Sequence, residues 1–347
     1  MPVVLPYLET TAAGGSEVRA FVQEALETAR PPLDEAERLL ASQDEAMQLR
    51  KAWDEVGGRL LLLGRDLGAW AIDRGARMLV QDLGRGTRQL RAWYEGDDAE
   101  SDSGDGRGTK GTVGGSAAHA QLLRDAKQRL QARLDSRPPA RPRADSGSES
   151  GPSKLQALIN HLRERQPRKC LIFVQRRVSS KLLAEALQSE LEESSWSVDW
   201  VCSAGSVGVC VGRGSDKLSE PEVNRRLDSF RGGLRVLVST AILEEGIDVP
   251  ECDAVVDFDG ATTSRQFQQR GGRARAAKNA SYAHLLCTNS TDSNGYDEQG
   301  YRNMLGWNEM TVRLLAHAPD RQPPPPRPAA QARAIPGPIP KSKAYHP

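Results

Sequence analysis

Apolar positions along the chain follow two different periods. From Ser16 onward, Val18, Phe21, Val22, Ala25, Leu26 and Ala29 recur on one helix face until Pro31-Pro32 interrupts them. A short helix over Leu33 to Leu40, a longer one over Gln43 to Leu63 and another over Arg65 to Leu83 are predicted next, and together they read as a small helical bundle. Leu123, Ala126, Leu130 and Leu134 keep helical spacing between Ala117 and Leu134, giving an amphipathic helix suited to packing on the bundle or on a neighbour. After Ser153 the period changes. Helices over Lys154 to Arg165, Ser179 to Glu192, Glu220 to Phe230 and Ser264 to Arg270 alternate with short apolar runs. Those runs are Cys170 to Val174, Val198 to Cys202, Val207 to Val211, Leu234 to Val238, Ala254 to Phe258 and Tyr282 to Cys287. Short Val/Ile/Leu-rich strands between helices predict an α/β fold with a parallel sheet covered on both faces. Ligands of such sheets sit at the carboxyl ends of the strands.

Polar stretches divide the rest. Glu95 to Gly115 is rich in Asp, Gly and Ser and reads as a solvated, mobile insertion, and Ser136 to Pro152 returns to Pro, Arg and Ser as a linker. Met304, Leu305, Val312 and Leu315 fall on one helical face between Asn303 and Ala316, and Pro323 to Pro326 open an extended, disordered tail. The expected organisation is a helical bundle over 1–94, a linker with one amphipathic helix over 95–152, an α/β domain over 153–290, a helix over 291–318 and a proline-rich tail over 319–347.

Composition narrows the class. The 347 residues suffice for two domains, and 27% charged residues leave part of the length unpacked. The formal net charge of +1 conceals acids crowded in one stretch and arginines in others. Cys170, Cys202, Cys210, Cys252 and Cys287 are spread singly, which favours reduced thiols over zinc or a disulfide framework. MPVVLPYLETT at the start has neither a basic segment nor a long apolar run, so a cytoplasmic or nuclear protein is expected, without membrane contact.

Val236 to Arg275 concentrates the candidate chemistry. It runs from an apolar strand through Ser239-Thr240 and an acid-rich turn closing on Gly246-Ile247-Asp248, to a second strand and an arginine cluster. No acid occurs between Gly260 and Thr291, whereas Arg265, Arg270, Arg273, Arg275 and Lys278 all do. Arginine presents a fixed planar fork of donors and keeps its charge, so such a segment suits phosphate. Gly271 and Gly272 remove bulk beside it. Each residue also has a plainer reading: Asp248 as a turn, Ser239 at a strand end, Arg265 or Arg270 on a solvated helix face.

The series Leu171 to Arg177, then Val211-Gly212-Arg213-Gly214, then Ser239 to Asp248, then Gln269-Arg270-Gly271-Gly272-Arg273-Ala274-Arg275 resembles motifs IV, IVa, V and VI of superfamily 2 helicases. The E-E-G-I-D and G-R-A-R forms are most similar to Dicer and the related innate RNA sensors. Leu67-Gly68-Ala69-Trp70-Ala71 resembles the signature of their helical insertion. The resemblance implies a second, RecA-like helicase lobe carrying that insertion, with arginine fingers Arg273 and Arg275, Gln269 on the nucleotide, and Gly246 and Asp248 beside ATP. It further implies double-stranded RNA held along its backbone by Gln175, Arg176, Gly212, Arg213, Ser239 and Thr240. Three departures stand out: Gly271 where the family usually has Arg, Arg213 where it has His, and Trp70-Ala71 where Trp-Cys is common; Arg270 is the candidate replacement for the first, one place earlier.

No G-x-x-x-x-G-K-[ST] phosphate loop occurs in this sequence, and Asp34-Glu35-Ala36-Glu37, though similar to a helicase metal box, follows prolines at a helix start where acids favour the dipole. ATP would then be shared with a first lobe lying outside this chain, where Mg²⁺ is also expected, and the chain alone is not expected to hydrolyse ATP. Segments resembling PAZ, ribonuclease III or double-stranded-RNA-binding domains are not seen, so cleavage is not supported. Two other readings remain: a fork-remodelling DNA translocase lobe, disfavoured by Ala274-Arg275-Ala276, and an ATP-independent RNA-binding or decoy protein.

Overall fold

Cys170 and Ile172 of strand β2 (Cys170–Phe173) join one buried cluster, whereas Leu171 and Phe173 join another, and all four side chains are fully buried. Alternation by one residue is what a strand with both faces covered requires. Strands β6 (Val236–Ser239) and β7 (Ala254–Asp257) divide in the same way, with Val238 and Val256 on the first face and Leu237 and Val255 on the second. Leu, Ile and Phe side chains buried to this extent each contribute roughly 1.5–3 kcal/mol.

The computed structural model describes residues 3–7, 13–40, 43–83, 117–142, 152–191, 196–207, 216–244, 247–261, 263–275 and 280–287. The expectations for the acidic stretch, for Met304 to Leu315 and for the proline-rich tail lie outside these residues. Strands β1 (Val3–Tyr7), β3 (Val198–Val201) and β8 (Ser281–Cys287) complete a six-stranded sheet in the order β1-β8-β7-β2-β6-β3, in which every pairing is parallel. Helices α6 (Lys154–Arg165) and α7 (Arg177–Glu190) cover the first face through Leu155, Leu158, Leu183 and Leu187. Helix α8 (Glu220–Gly232) covers the second through Val223, Leu227 and Phe230, and α9 (Ser264–Gly271) lies beside β7. Helix starts follow local chemistry. Ser153, Ser219 and Thr263 each accept a hydrogen bond from the backbone N–H three residues on, the ordinary N-cap exchange.

The first strand was not visible as one in the apolar pattern. Val3–Tyr7 pairs with β8 at the sheet edge, in register Leu5 to Leu285, so the chain's beginning belongs to the sheet and the helices that follow it are inserted between β1 and α6. Pro6, which has no N–H, is tolerated because an edge strand pairs on one side only. Of the run Val207 to Val211 only Val207 lies within the described residues, and it ends a short strand. Strand β4 (Gly205–Val207) pairs antiparallel with β5 (Asp216–Leu218) in a separate two-stranded ribbon instead of joining the main sheet.

The bundle comprises α1 (Ala13–Ala29), α2 (Leu33–Leu39), α3 (Gln43–Leu67), α4 (Ala69–Leu83) and α5 (Ala117–Asp135). Of the two sites open to α5, the structure shows packing on the bundle, against α1 and α4. Arg77 of α4 donates to the carbonyls of Leu134 and Arg137 at 3.0 Å each, satisfying acceptors at the end of α5. The Gly68-Ala69-Trp70 signature is a corner: Gly68 has φ 92° and its N–H donates to Gly64 O, which turns α3 directly into α4 and buries Trp70. Ion pairs join the bundle to the α/β lobe, Arg74 to Glu185 at 3.1 Å and Lys154 to Asp66 at 3.1 Å.

Candidate nucleotide and nucleic-acid site

The carboxyl ends of three central strands are held level by backbone hydrogen bonds. Val174 N–H donates to Ser239 O, and Phe258 N–H to Phe173 O, both at 2.9 Å. The loops leaving these ends carry most of the candidate residues. Gln175 is exposed, and its N–H donates to Asp259 Oδ2 at 2.8 Å. Arg176 is 31% exposed, sits at the N-cap of α7, and lies 4.0 Å from Asp66. Ser239 and Thr240 are buried: Ser239 Oγ donates to Thr240 O, and Thr240 Oγ1 has no hydrogen-bond partner among the described residues. Neither hydroxyl is offered at the surface in this arrangement. Gly212, Arg213 and Gly246 lie outside the described residues.

A second group gathers where the turn after β6 meets the end of α9, and Glu244 is its centre. Arg270 donates through Nε to Glu244 Oε1 at 2.7 Å, and through Nη1 to Asp257 Oδ1 at 2.6 Å and Gly260 O at 3.3 Å. Its guanidinium also lies over the Phe173 ring, with its central carbon 5.0 Å from the centroid. Only 2% exposed, Arg270 cannot replace a phosphate-binding arginine at position 271, because its donors are already spent on carboxylates inside the lobe. Burial by itself would lower its affinity for the proton, but Asp257 and Glu244 raise it.

Arg273 is only partly buried, and its two terminal nitrogens donate to Ile247 O at 3.2 Å and Glu244 O at 3.1 Å. The two motifs are thus tied twice at one residue, through the Glu244 side chain by Arg270 and through its main chain by Arg273. Arg275 is exposed, with its Nε turned back on Gly272 O, and Gln269 is half-buried. Asp248 is exposed, and its carbonyl accepts from Arg231 at 2.7 Å. After α9, Ala274 forms a parallel bridge to Cys252, which precedes β7.

Beneath the arginines lies a buried polar layer. Tyr282 donates to Asp257 Oδ2 at 3.3 Å, His284 Nδ1 lies 3.7 Å from the same oxygen, and the His284 ring stacks on Phe267 with centroids 5.0 Å apart. Burial pushes the Asp257 carboxyl up to about 6 despite the opposing Arg270 charge. Burial, helped by Arg270, lowers His284 to about 3, leaving its ring neutral. Glu244, Asp257 and Asp259 escaped the sequence reading. The signal for two of them was available in Val255-Val256-Asp257-Phe258-Asp259, where acids alternate at the end of an apolar strand and call for buried partners.

Residues 153–277 match the family model of the helicase conserved C-terminal domain. The chain is 30% identical over 156 residues to Dicer-like protein 1 of Cryphonectria parasitica, covering 45% of this chain and 9% of that protein. It is 35% identical over 139 residues to Endoribonuclease Dicer homolog 2b of Oryza sativa subsp. japonica, covering 38% and 9%. The chain thus spans about a tenth of the length of these relatives. Among solved structures, the C-terminal domain of the DEAD-box protein Dbp5 aligns with a TM-score of 0.33 at 21% identity, covering 46% of this chain and 78% of that one. Domain 2 of the DEAD-box helicase Mss116p bound to an RNA duplex aligns with a TM-score of 0.32 at 19% identity, covering 39% and 50%. Residues 153–277 thus match the helicase conserved C-terminal domain, and the two relatives named here are a Dicer-like protein and a Dicer homolog.

Proposed function

We propose that this chain is the second lobe of a Dicer-like RNA helicase, holding double-stranded RNA along its backbone and supplying Arg273 and Arg275 to ATP bound on a first lobe. The observation that carries the reading is the double tie at Glu244. Arg270 anchors the turn after β6 through the Glu244 carboxylate, while Arg273 grips the Glu244 and Ile247 carbonyls. A finger must be held still before phosphate arrives, since preorganised charge needs no rearrangement in the transition state. These two bonds use two of the five N–H donors of the Arg273 guanidinium. The donors fit phosphate oxygens in type, and bound ATP would supply the phosphoryl group whose developing charge they stabilise. No cluster of metal-ligating side chains occurs among the described residues, and Mg²⁺ is assigned to the first lobe with the phosphates.

RNA is assigned to the carboxyl-end loops, with Gln175 and Arg176 as direct contacts and Ser239 and Thr240 acting from beneath. Duplex binding would fall with salt as phosphate counterions are displaced. The test uses the two-lobed protein. Arg273→Ala is expected to leave duplex-RNA affinity within about twofold and to lower ATP hydrolysis by on the order of 10³ or more. Lost RNA binding with hydrolysis retained would overturn the assignment and favour an ATP-independent RNA-binding protein.

A further inference from the structure

Between the helical bundle and the sheet lies a group of charges that the proposed ATP and RNA contacts leave unexplained. Lys154, the first residue of α6, is 5% exposed. Its Nζ lies 3.1 Å from Asp66 Oδ1 and 2.9 Å from Asp259 Oδ1, and 4.3 Å from the centroid of the Phe258 ring. Asp66 comes from α3 of the bundle, and Asp259 from the loop after β7. Both carboxylate side chains are nearly buried, at 5% and 9% exposure. A lysine this deeply buried needs such partners, because an isolated ammonium would lose its proton instead.

The two carboxylates do not stop at Lys154. Asp259 turns its second oxygen to the backbone N–H of Gln175 at 2.8 Å, and the Gln175 side chain donates to Asp259 O at 3.5 Å. The second oxygen of Asp66 lies 4.0 Å from Arg176 Nη1, and Arg65 Nε lies 3.5 Å from the first. Burial would raise the Asp259 carboxyl, but Lys154, the Gln175 N–H and Arg176 hold it below its ordinary value, so it is ionised when it takes that N–H. One element of the bundle and two of the lobe therefore converge on adjacent residues, Gln175 and Arg176.

We propose that Asp66, Lys154 and Asp259 form a positioning relay through which the helical bundle fixes the Gln175–Arg176 loop for nucleic acid. The relay touches no phosphate; it acts through the two loop residues. This inference rests on the reading of Gln175 and Arg176 as RNA contacts, and its test separates the two.

Duplex-RNA affinity and its salt dependence would be measured on the full chain with Arg176→Ala, Asp259→Ala, Asp66→Asn and, as a control, Arg74→Ala. Arg74 pairs with Glu185 across the same bundle–lobe junction. Asp259→Ala and Asp66→Asn each remove a negative charge, which alone would strengthen binding to a polyanion. A relay instead predicts weaker binding, by about threefold or more, and a salt slope lowered by roughly 0.9, the loss of one phosphate contact. Arg176→Ala is expected to do the same, and Arg74→Ala to leave both unchanged. Asp66→Asn keeps the Lys154–Asp259 pair and serves if Asp259→Ala does not fold.

Hydrogen exchange on the RNA-free chain supplies the independent arm. Loss of Asp259 should expose the Gln175 amide while Leu183 and Leu187 in α7 keep their protection. Unchanged or tighter RNA binding in both acidic variants, with Arg176→Ala weakened, would overturn the relay and leave the RNA reading standing. Loss of protection at Gln175 with Arg176→Ala binding like the parent would instead overturn the RNA reading, and with it the relay's assigned purpose.

Discussion

Gly271 lies so close to the ring of Tyr282 that a β-carbon at 271 would sit 2.9 Å from Cδ1 and 3.0 Å from Cε1. The ring cannot swing away cheaply, since it packs against Phe267 and His284 and its hydroxyl donates to Asp257. Gly271→Ala should therefore destabilise the lobe by about 1–3 kcal/mol, as overpacking does, although alanine otherwise favours a helix end. A smaller neighbour should relieve it. In a double-mutant cycle by urea unfolding, Tyr282→Ala is expected to cancel most of the added cost of Gly271→Ala, giving a coupling above about 0.5 kcal/mol. Simple additivity would refute the steric account of why glycine stands here.

Arg270 has a different lesson for substitution. Removing it leaves Asp257 and Glu244 without their common cation in a buried site, a change that costs about 3–5 kcal/mol where the pair distances are 2.6 and 2.7 Å. Arg270→Ala is expected to fall in that range by denaturant unfolding. Arg275→Ala, at an exposed residue whose Nε bond runs to its own local turn, should stay within about 0.5 kcal/mol. Equal losses for the two would mean that Glu244 and Asp257 find other partners.

The α/β alternation was legible because the side chains of the central strands β2, β6 and β7 divide between two buried faces, so that these runs are almost wholly apolar. Helix ends were nearly as clear at Lys154 to Arg165, where the predicted and observed limits coincide. Strand β1 was not legible, since its partner β8 lies almost the full chain away and five edge residues containing Pro6 carry little pattern of their own. Nor could spacing tell a buried arginine from an available one: Arg270 and Arg273 stand three residues apart, yet only the acids at 244 and 257, remote in sequence, decide which is consumed.

The bundle's corner offers a sharper steric test. A β-carbon at Gly64 would clash with Ile72 Cγ1 and Cδ1, because α3 and α4 approach closely beside the Gly68 turn. Gly64→Ala should cost about 1–3 kcal/mol or more from overpacking, and Ile72→Ala in the same chain should recover part of it. Thermal unfolding of the two single variants and the double decides the matter, and a neutral Gly64→Ala would show that the helices separate without cost.

Asp257 and His284 share the oxygen side of one buried site, and their protonation preferences oppose one another. Asp257 is raised from its ordinary 3.8 to about 6, so its contribution to stability is present in full below about 3.8 and is lost as pH rises through 6. His284 is lowered from 6.5 to about 3, so its contribution is present above 6.5 and is lost as pH falls toward 3. Between pH 4 and 6 the two trends cancel, and single substitutions should uncover each one. His284→Phe preserves the stack on Phe267 and removes the histidine's trend. Relative to the parent, its stability should therefore rise as pH is lowered from 6.5 toward 4, by at most about 1.4 kcal/mol per pH unit. Asp257→Asn removes the carboxyl's trend, and relative to the parent it should lose stability as pH falls from 6 to 4. Differences from the parent at each pH cancel the other titrating groups, so urea unfolding at half-unit intervals suffices. A flat difference for both variants would mean that each group binds its proton alike in the folded and unfolded chain, and that the layer under the arginines is open to water.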